Sequence, residues 1–143
     1  MGLHILLVED NEADMRLVRE ALVEGEVPAV LHWVPSGEVA LRFLRRTGDQ
    51  AAQPVPDLVL LDLNLPGLGG HEVLAEIKRD PALLAIPVVV LTSSSAPQDV
   101  LDAYAGHANA YMVKPDDYTQ FLALVGAICG YWLASVLLPS RVV

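Results

Sequence analysis

The chain has 143 residues, which is the length of one domain and enough to bury a single hydrophobic core. Its formal charge of −9 excludes the basic face that a nucleic-acid-binding protein needs to neutralise phosphates. Hydrophobic residues make up 53% of the sequence, which excludes intrinsic disorder and predicts a well-filled interior.

Apolar segments of strand length alternate with segments of helical period along the chain. The strand segments are HILLVED (4–10), VLHWV (30–34), DLVLLD (57–62), IPVVVLTSS (86–94) and NAYMVKP (109–115). The helical segments that follow them are MRLVREALVEG (15–25), GEVALRFLRR (37–46), GHEVLAEIKRD (70–80), QDVLDAYAG (98–106) and YTQFLALVGAICGYWLASVLL (118–138). Strands that are apolar on both faces, each followed by a helix, predict a parallel sheet covered by helices on both sides.

Polar side chains stand where four of these strands end. Glu9 and Asp10 end the first strand, Asp62 the third, Thr92 the fourth and Lys114 the fifth. Ligands of an open parallel sheet bind beyond the carboxyl ends of its strands, so we expect these five side chains at one rim. Three carboxylates in one pocket repel each other unless a cation offsets them, and an oxygen-only cluster suits Mg²⁺.

The predicted pocket has the parts needed to hold a phosphoryl group during its transfer. Mg²⁺ and the Lys114 ammonium would stabilise the charge on the phosphoryl oxygens, Thr92 would donate a hydrogen bond, and Asp62 would attack in line. A single aspartate after an apolar strand is more often a helix cap or a turn residue. Five polar residues in matching positions at four strand ends favour the interpretation of Asp62 as a nucleophile.

The ordered motifs LLVEDNEAD, LDLNLPG, IPVVVLT and YMVKP resemble the response regulator receiver domain of two-component signalling, up to about Gly126. The resemblance implies a flavodoxin-like, doubly wound α/β fold with five helices and a parallel sheet in the order 2-1-3-4-5, within a single domain over 1–143. It implies that Asp62 accepts a phosphoryl group from a phosphohistidine of a sensor histidine kinase. The chain would then be no enzyme beyond catalysing its own phosphorylation and dephosphorylation.

The resemblance also implies roles for individual residues. The protein ligands of Mg²⁺ would be Glu9, Asp10, Asp62 and the backbone carbonyl of Asn64. Thr92 and Lys114 would grip the phosphate, and the peptide bond between Lys114 and Pro115 would be cis.

A switch between two conformations follows from the same resemblance. If Thr92 moves toward the phosphorylated Asp62, it vacates space into which Tyr111 on the fifth strand can turn. The surface formed by the fourth helix, fifth strand and fifth helix would then re-form. The alternative is that Tyr111 is a half-buried strand aromatic with no switching role.

The end of the chain is unusually apolar, since residues 118–140 include no charged side chain and Gly126 and Gly130 form a G-x-x-x-G pattern. A run of this length could span a membrane, but its first turns also form the fifth helix of the receiver. We expect residues 127–143 to extend that helix and its outward side to join a homodimer, with membrane anchoring as the alternative. The residues predicted for the dimer interface are Leu124, Ile128, Tyr131 and Leu138.

The EDNEAD and LDLNLPG motifs, with a long loop at 47–56, are similar to small stand-alone regulators that partner bacterial phytochrome kinases. Under that resemblance the kinase would dock near the first helix, at Asn11, Glu12, Asp14 and Arg16. No secretion signal follows Met1 and the lone Cys129 fits a reducing compartment, so we expect a cytoplasmic protein.

Two alternatives to a phosphoryl-accepting switch remain open. The first is a pseudo-receiver, a protein-binding module that acts without phosphate. The second is a phosphatase of the haloacid-dehalogenase type. Such an enzyme would need a second aspartate two residues after Asp62, where the chain has Asn64. The four histidines show no zinc-ligand spacing, so a zinc site is not expected.

Overall fold

A computed structural model of the chain describes residues 2–139. The strands are β1 (Leu3–Val8), β2 (Ala29–Val34), β3 (Leu58–Leu61), β4 (Val88–Thr92) and β5 (Ala110–Val113). The α-helices are α1 (Glu12–Glu24), α2 (Gly37–Arg45), α3 (Gly70–Arg79), α4 (Pro97–Ala105) and α5 (Tyr118–Ala134). A short 3₁₀ helix, Gly48–Gln50, lies in the long loop before β3.

The strands form one sheet in the order β2-β1-β3-β4-β5, and every neighbouring pair is parallel. This arrangement confirms the predicted doubly wound, flavodoxin-like fold. The chain moves outward from β1 in one direction to β2 and in the other to β3. The crevice of such a sheet opens beyond the carboxyl ends of β1 and β3, where the strand order reverses.

The core has two layers because successive side chains of a strand point to opposite faces of the sheet. Leu6 and Val8 of β1 pack with α2, α3 and α4 on one face. Ile5 and Leu7 pack with α1 and α5 on the other. Every residue of β3 and β4 is buried, which explains why their sequences are continuous apolar runs rather than alternating ones.

The last helix is shorter than predicted. It ends at Ala134, and the Ser135 N–H donates to the Tyr131 carbonyl at 2.9 Å. The predicted extension over 127–143 is therefore wrong beyond Ala134 in the part that the structure describes, and residues 140–143 lie outside that part. Within residues 2–139, no helix combines the length and apolar character needed to cross a bilayer.

The prediction that Leu138 lies on the outer side of an extended helix is wrong. Its side chain is 3% exposed and packs into the layer of α1 and α5. The angular position of a residue on a helix has no meaning once the helix has ended. Among the other predicted interface residues, Tyr131 is 54% exposed, while Leu124 and Ile128 are partly buried.

Only the first glycine of the G-x-x-x-G pattern lies at a contact between two helices of the described residues. A Cβ on Gly25, the C-cap of α1, would lie 3.5 Å from the Gly126 Cα of α5. Gly126 thus stands where α1 and α5 approach closely, whereas a Cβ on Gly130 would meet no atom within 4 Å.

His4 and His32 meet across neighbouring strands. The Nδ1 atom of His4 lies 3.0 Å from the Nε2 atom of His32, and the two rings are stacked with centroids 5.3 Å apart. His32 also contacts the ring of Phe43 in α2. The spacing along the chain gave no sign of this pair, because it depends on β1 lying beside β2.

We expect the His32 side chain to make the stability of the fold depend on pH. Burial, and secondarily the charge of His4, lower the pKa of His32 below its ordinary value of 6.5. The unfolded chain therefore takes up this proton at a higher pH than the folded chain, and the free energy of unfolding falls as the pH drops below about 6.5. Urea unfolding at about pH 7 and about pH 5 should show a smaller loss of stability in His32→Gln than in the wild type. An equal loss in the two proteins would contradict the expectation.

Candidate functional site

Side chains from three strand ends come together at the carboxyl edge of the sheet. The Lys114 Nζ atom lies 2.6 Å from Glu9 Oε1 and 3.3 Å from Asp62 Oδ2. Carboxylate oxygens of Glu9, Asp10 and Asp62 lie within 4.8 Å of one another. Glu9 and Asp62 are buried, whereas Asp10 is exposed, so the cluster can be reached from solvent on the side of Asp10.

The β3 strand fixes the position of Asp62. The Asp62 N–H donates to the Val8 carbonyl at 3.1 Å, which continues the pairing of β3 with β1 past the end of the strand. The Asn64 N–H donates to Asp62 Oδ1 at 3.2 Å and orients the carboxylate. The role of the Asn64 carbonyl as a metal ligand stays a prediction.

Gly70, which was not among the predicted site residues, places α3 directly behind Asp62. Its N–H donates to the Leu63 carbonyl at 3.1 Å. A Cβ at this position would lie 2.5 Å from the Leu63 Cα and closer still to the Asp62 carbonyl oxygen. Real Cβ atoms do not approach backbone so closely, and only glycine lets the helix begin here.

The electrostatics of the cluster show an excess of negative charge. Burial raises the pKa of Glu9 to about 7, although the ammonium of Lys114 acts in the opposite direction. Burial also disfavours the charge on Lys114, but hydrogen bonds to Asp14 and Glu9 outweigh it and the pKa of Lys114 lies above its ordinary value. One ammonium does not balance this many carboxylates, and a divalent cation would offset the remainder.

Thr92 is fully buried at the end of β4, and its Oγ1 atom has no hydrogen-bond partner among residues 2–139. A buried hydroxyl without a partner costs about 1–3 kcal/mol. A ligand oxygen held at this edge of the sheet would supply the missing partner. The all-oxygen cluster of Glu9, Asp10 and Asp62 likewise fits a hard cation such as Mg²⁺.

The prediction of a cis bond between Lys114 and Pro115 is wrong. This peptide bond is trans, as are the others in residues 2–139. The trans form of a bond before proline is favoured by about 0.5–1 kcal/mol unless its surroundings demand otherwise. Here Lys114 already reaches Glu9 and Asp62 from the trans form, so the contacts of the site make no such demand.

Tyr111 is half-buried and faces the loop between β4 and α4. Its hydroxyl donates to the Ser94 carbonyl at 2.8 Å, and its ring packs against the layer of α2, α3 and α4. The Ser94 hydroxyl donates to Asp99 at 2.5 Å, and the His71 Nε2 atom lies 3.1 Å from the same carboxylate. The switch in which Tyr111 turns into the space that Thr92 vacates stays a prediction.

Asp14 is a site residue that the sequence analysis missed, because it was assigned to the exposed docking face of the first helix. Its Oδ2 atom lies 2.8 Å from Lys114 Nζ. Its spacing from Asp10 carries no signal, because Asp10 lies before the N-cap Asn11 and is outside α1. The rotation of α1 that turns Asp14 toward Lys114 is set by packing.

Five parallel strands with a polar site beyond their carboxyl ends define a flavodoxin-like α/β protein with an acidic, lysine-containing crevice. The family model of the response regulator receiver domain matches residues 5–126. The chain therefore belongs to the response regulator receiver domain family.

Similar proteins extend this assignment over nearly the whole chain. Response regulator Rcp1 of Synechocystis sp. is 45% identical over 136 residues, which cover 95% of this chain and 92% of that protein. The crystal structure of the phosphorylated cyanobacterial phytochrome response regulator RcpA has a TM-score of 0.93 at 45% identity, and the match covers 97% of this chain and 99% of that chain. The Mn²⁺-bound form of Rcp1 has a TM-score of 0.91 at 44% identity, with 96% and 99% covered.

We expect Gly70→Ala to destabilise the fold by about 1–3 kcal/mol, because the added methyl group overlaps the backbone at Asp62 and Leu63. Gly130→Ala is the matched control. It adds the same methyl group in open space within α5 and should stabilise by about 0.5–1 kcal/mol through helix propensity. Urea unfolding followed by circular dichroism measures both changes. An unchanged free energy of unfolding in Gly70→Ala would show that the added methyl group does not overlap this backbone.

Proposed function

We propose that this receiver domain accepts a phosphoryl group on Asp62 from a sensor histidine kinase in a Mg²⁺-dependent reaction. The supporting observation is the convergence of a buried carboxylate, an ammonium and further acids at one strand edge, with Lys114 Nζ 3.3 Å from Asp62 Oδ2. The unpartnered hydroxyl of Thr92 provides a donor at the neighbouring strand end. The relative RcpA has been crystallised in a phosphorylated form, which agrees with this role.

In the proposed reaction an oxygen of Asp62 forms a bond to phosphorus while the bond from phosphorus to the imidazole nitrogen of the kinase phosphohistidine breaks. Lys114 and Thr92 then hold the phosphoryl oxygens by an ammonium and a hydroxyl. Glu9, Asp10 and Asp62 would hold Mg²⁺, which when bound neutralises charge on the transferring group. Apart from its own phosphorylation and dephosphorylation, the domain would catalyse nothing.

We propose a phytochrome-type histidine kinase as the phosphoryl donor. RcpA is a cyanobacterial phytochrome response regulator, and the similarity to it covers 97% of this chain. Phosphorylation would then bias Tyr111 and the surface of α4, β5 and α5 toward one of two conformations. A domain of this kind would act in the cytoplasm, where a soluble kinase domain can reach it.

We also propose a homodimer that forms through the outer side of α5. Tyr131 is 54% exposed and Leu124 is partly exposed on this side, whereas Ile128, which is also partly exposed, packs against the layer of α1 and α5. Leu137, just past the helix, is 76% exposed. Exposed apolar side chains that lie together more often mark a protein contact than a solvated surface.

Intact mass measurement after incubation with acetyl phosphate and Mg²⁺ tests the phosphoryl-accepting role. The wild type should gain one phosphoryl group, and Asp62→Asn should gain none because a neutral amide replaces the nucleophilic carboxylate. Asp116→Asn removes an exposed aspartate near the site and serves as the control. Chelation of Mg²⁺ should abolish the gain. A wild type that stays unmodified with both acetyl phosphate and a competent kinase would instead be a pseudo-receiver.

The dimer is tested by sedimentation of the wild type and of Tyr131→Glu. The variant should dissociate more readily, since a charge placed in an apolar contact must be desolvated. Leu84→Glu puts the same charge on an exposed apolar residue that lies outside α5, and it should leave the mass unchanged. A monomeric wild type would refute this part of the proposal.

A further inference from the structure

The ammonium of Lys114 is shared among three carboxylates. Its Nζ atom lies 2.6 Å from Glu9, 2.8 Å from Asp14 and 3.3 Å from Asp62. The lysine side chain is 7% exposed and that of Asp14 is 28% exposed. This pair is therefore unlike a solvated surface ion pair, which contributes about 0–1 kcal/mol.

Asp14 differs from the other two partners of the lysine in one respect. Glu9 and Asp62 belong with Asp10 to the carboxylate group that could hold a metal ion, and Asp14 does not. A divalent cation bound to that group competes with the lysine for the oxygens of Glu9 and Asp62 and repels its ammonium. Asp14 is the partner of Lys114 that the cation leaves in place.

The fold holds Asp14 at this position. Its N–H donates to the side chain of Asn11, the N-cap of α1, at 3.0 Å. Met15 and Val18 of the same helix are buried against the sheet and fix the rotation of α1. The Asp14 carboxylate is therefore presented to the site by a rigid element rather than by a loop.

We propose that Asp14 is a positioning residue for phosphoryl transfer, which keeps the Lys114 ammonium beside Asp62 when a cation occupies the carboxylate group. The inference rests on the proposed phosphoryl-accepting function. Asp14 itself does not touch the reacting atoms. Asp14 acts through Lys114. Removal of the Asp14 carboxylate should therefore affect the site when Lys114 is present and have no effect when Lys114 is absent.

The first test observes the lysine directly and needs no phosphorylation. The chain contains two lysines, Lys78 and Lys114, so the side-chain ammonium signals in a nitrogen-15 NMR spectrum are readily assigned. With Mg²⁺ present, Asp14→Asn should speed hydrogen exchange at the Lys114 ammonium by about three- to tenfold, or remove its signal. Lys78 is the internal control, because it donates to the Leu84 and Ile86 carbonyls at 3.0 and 2.9 Å. Unchanged exchange at Lys114 would overturn the inference.

The second test measures the affinity for beryllofluoride, a phosphoryl mimic, in the presence of Mg²⁺. Asp14→Asn should weaken binding about three- to tenfold, and Asp14→Glu should retain most of it. In a Lys114→Met background, Asp14→Asn should have no further effect, which a merely structural role of Asp14 does not predict. A loss of the same size in that background would overturn the inference.

The control variant and the wild type separate the possible failures. Glu24→Gln removes one negative charge from the same helix, but Glu24 is exposed at the far end of α1, so the variant should bind beryllofluoride as the wild type does. A loss in Glu24→Gln equal to that in Asp14→Asn would reduce the effect to overall charge and refute the positioning role. A wild type that binds no beryllofluoride would refute the proposed function, while the lysine exchange experiment still decides whether Asp14 holds Lys114.

Discussion

The structure of the site depends on one charge balance, a single buried ammonium among several carboxylates. Each of Glu9 and Asp62 would be costly to bury alone, because an unpaired charge away from water loses its solvation. Lys114, which lies far along the chain from both of them, supplies the compensating charge. The single ammonium does not balance all of the carboxylates, and burial raises the pKa of Glu9. A cation bound among these carboxylates would offset the remaining negative charge.

The same region is connected to the surface of α4 and β5 by a continuous set of contacts. The Asp62 backbone lies against Gly70, and the next residue, His71, reaches Asp99 at the start of α4. Asp99 binds the hydroxyl of Ser94, whose carbonyl accepts from Tyr111. A shift of the Asp62 backbone therefore has a physical route to the Tyr111 ring.

Most of the fold could be predicted from the sequence, because the features that specify it are local. Apolar runs give the strands, helical periodicity gives the helices, and parallel strands bring their carboxyl ends to one edge. The errors arose where the outcome depends on distant contacts. The inward turn of Asp14 depends on the packing of α1, and the contact of His4 with His32 depends on strand pairing. The cis bond expected at Pro115 came from the family resemblance, and the structure has the trans form. The end of α5 was missed because no charged residue or glycine marks it in the apolar run.

The apolar outer side of α5 is not required by the receiver fold itself. The inner side of this helix is already covered, with Phe121, Val125 and Cys129 buried against the sheet and α1. Moving α5 into a bilayer would uncover the apolar side chains of the sheet and α1 that it now covers, at about 1.5–3 kcal/mol for each large side chain left in water. Covering the outer side with a second copy of the chain leaves the inner contacts intact and removes Tyr131 from water. Association through α5 therefore hides the apolar surface without breaking the core, which membrane insertion of the same helix cannot do.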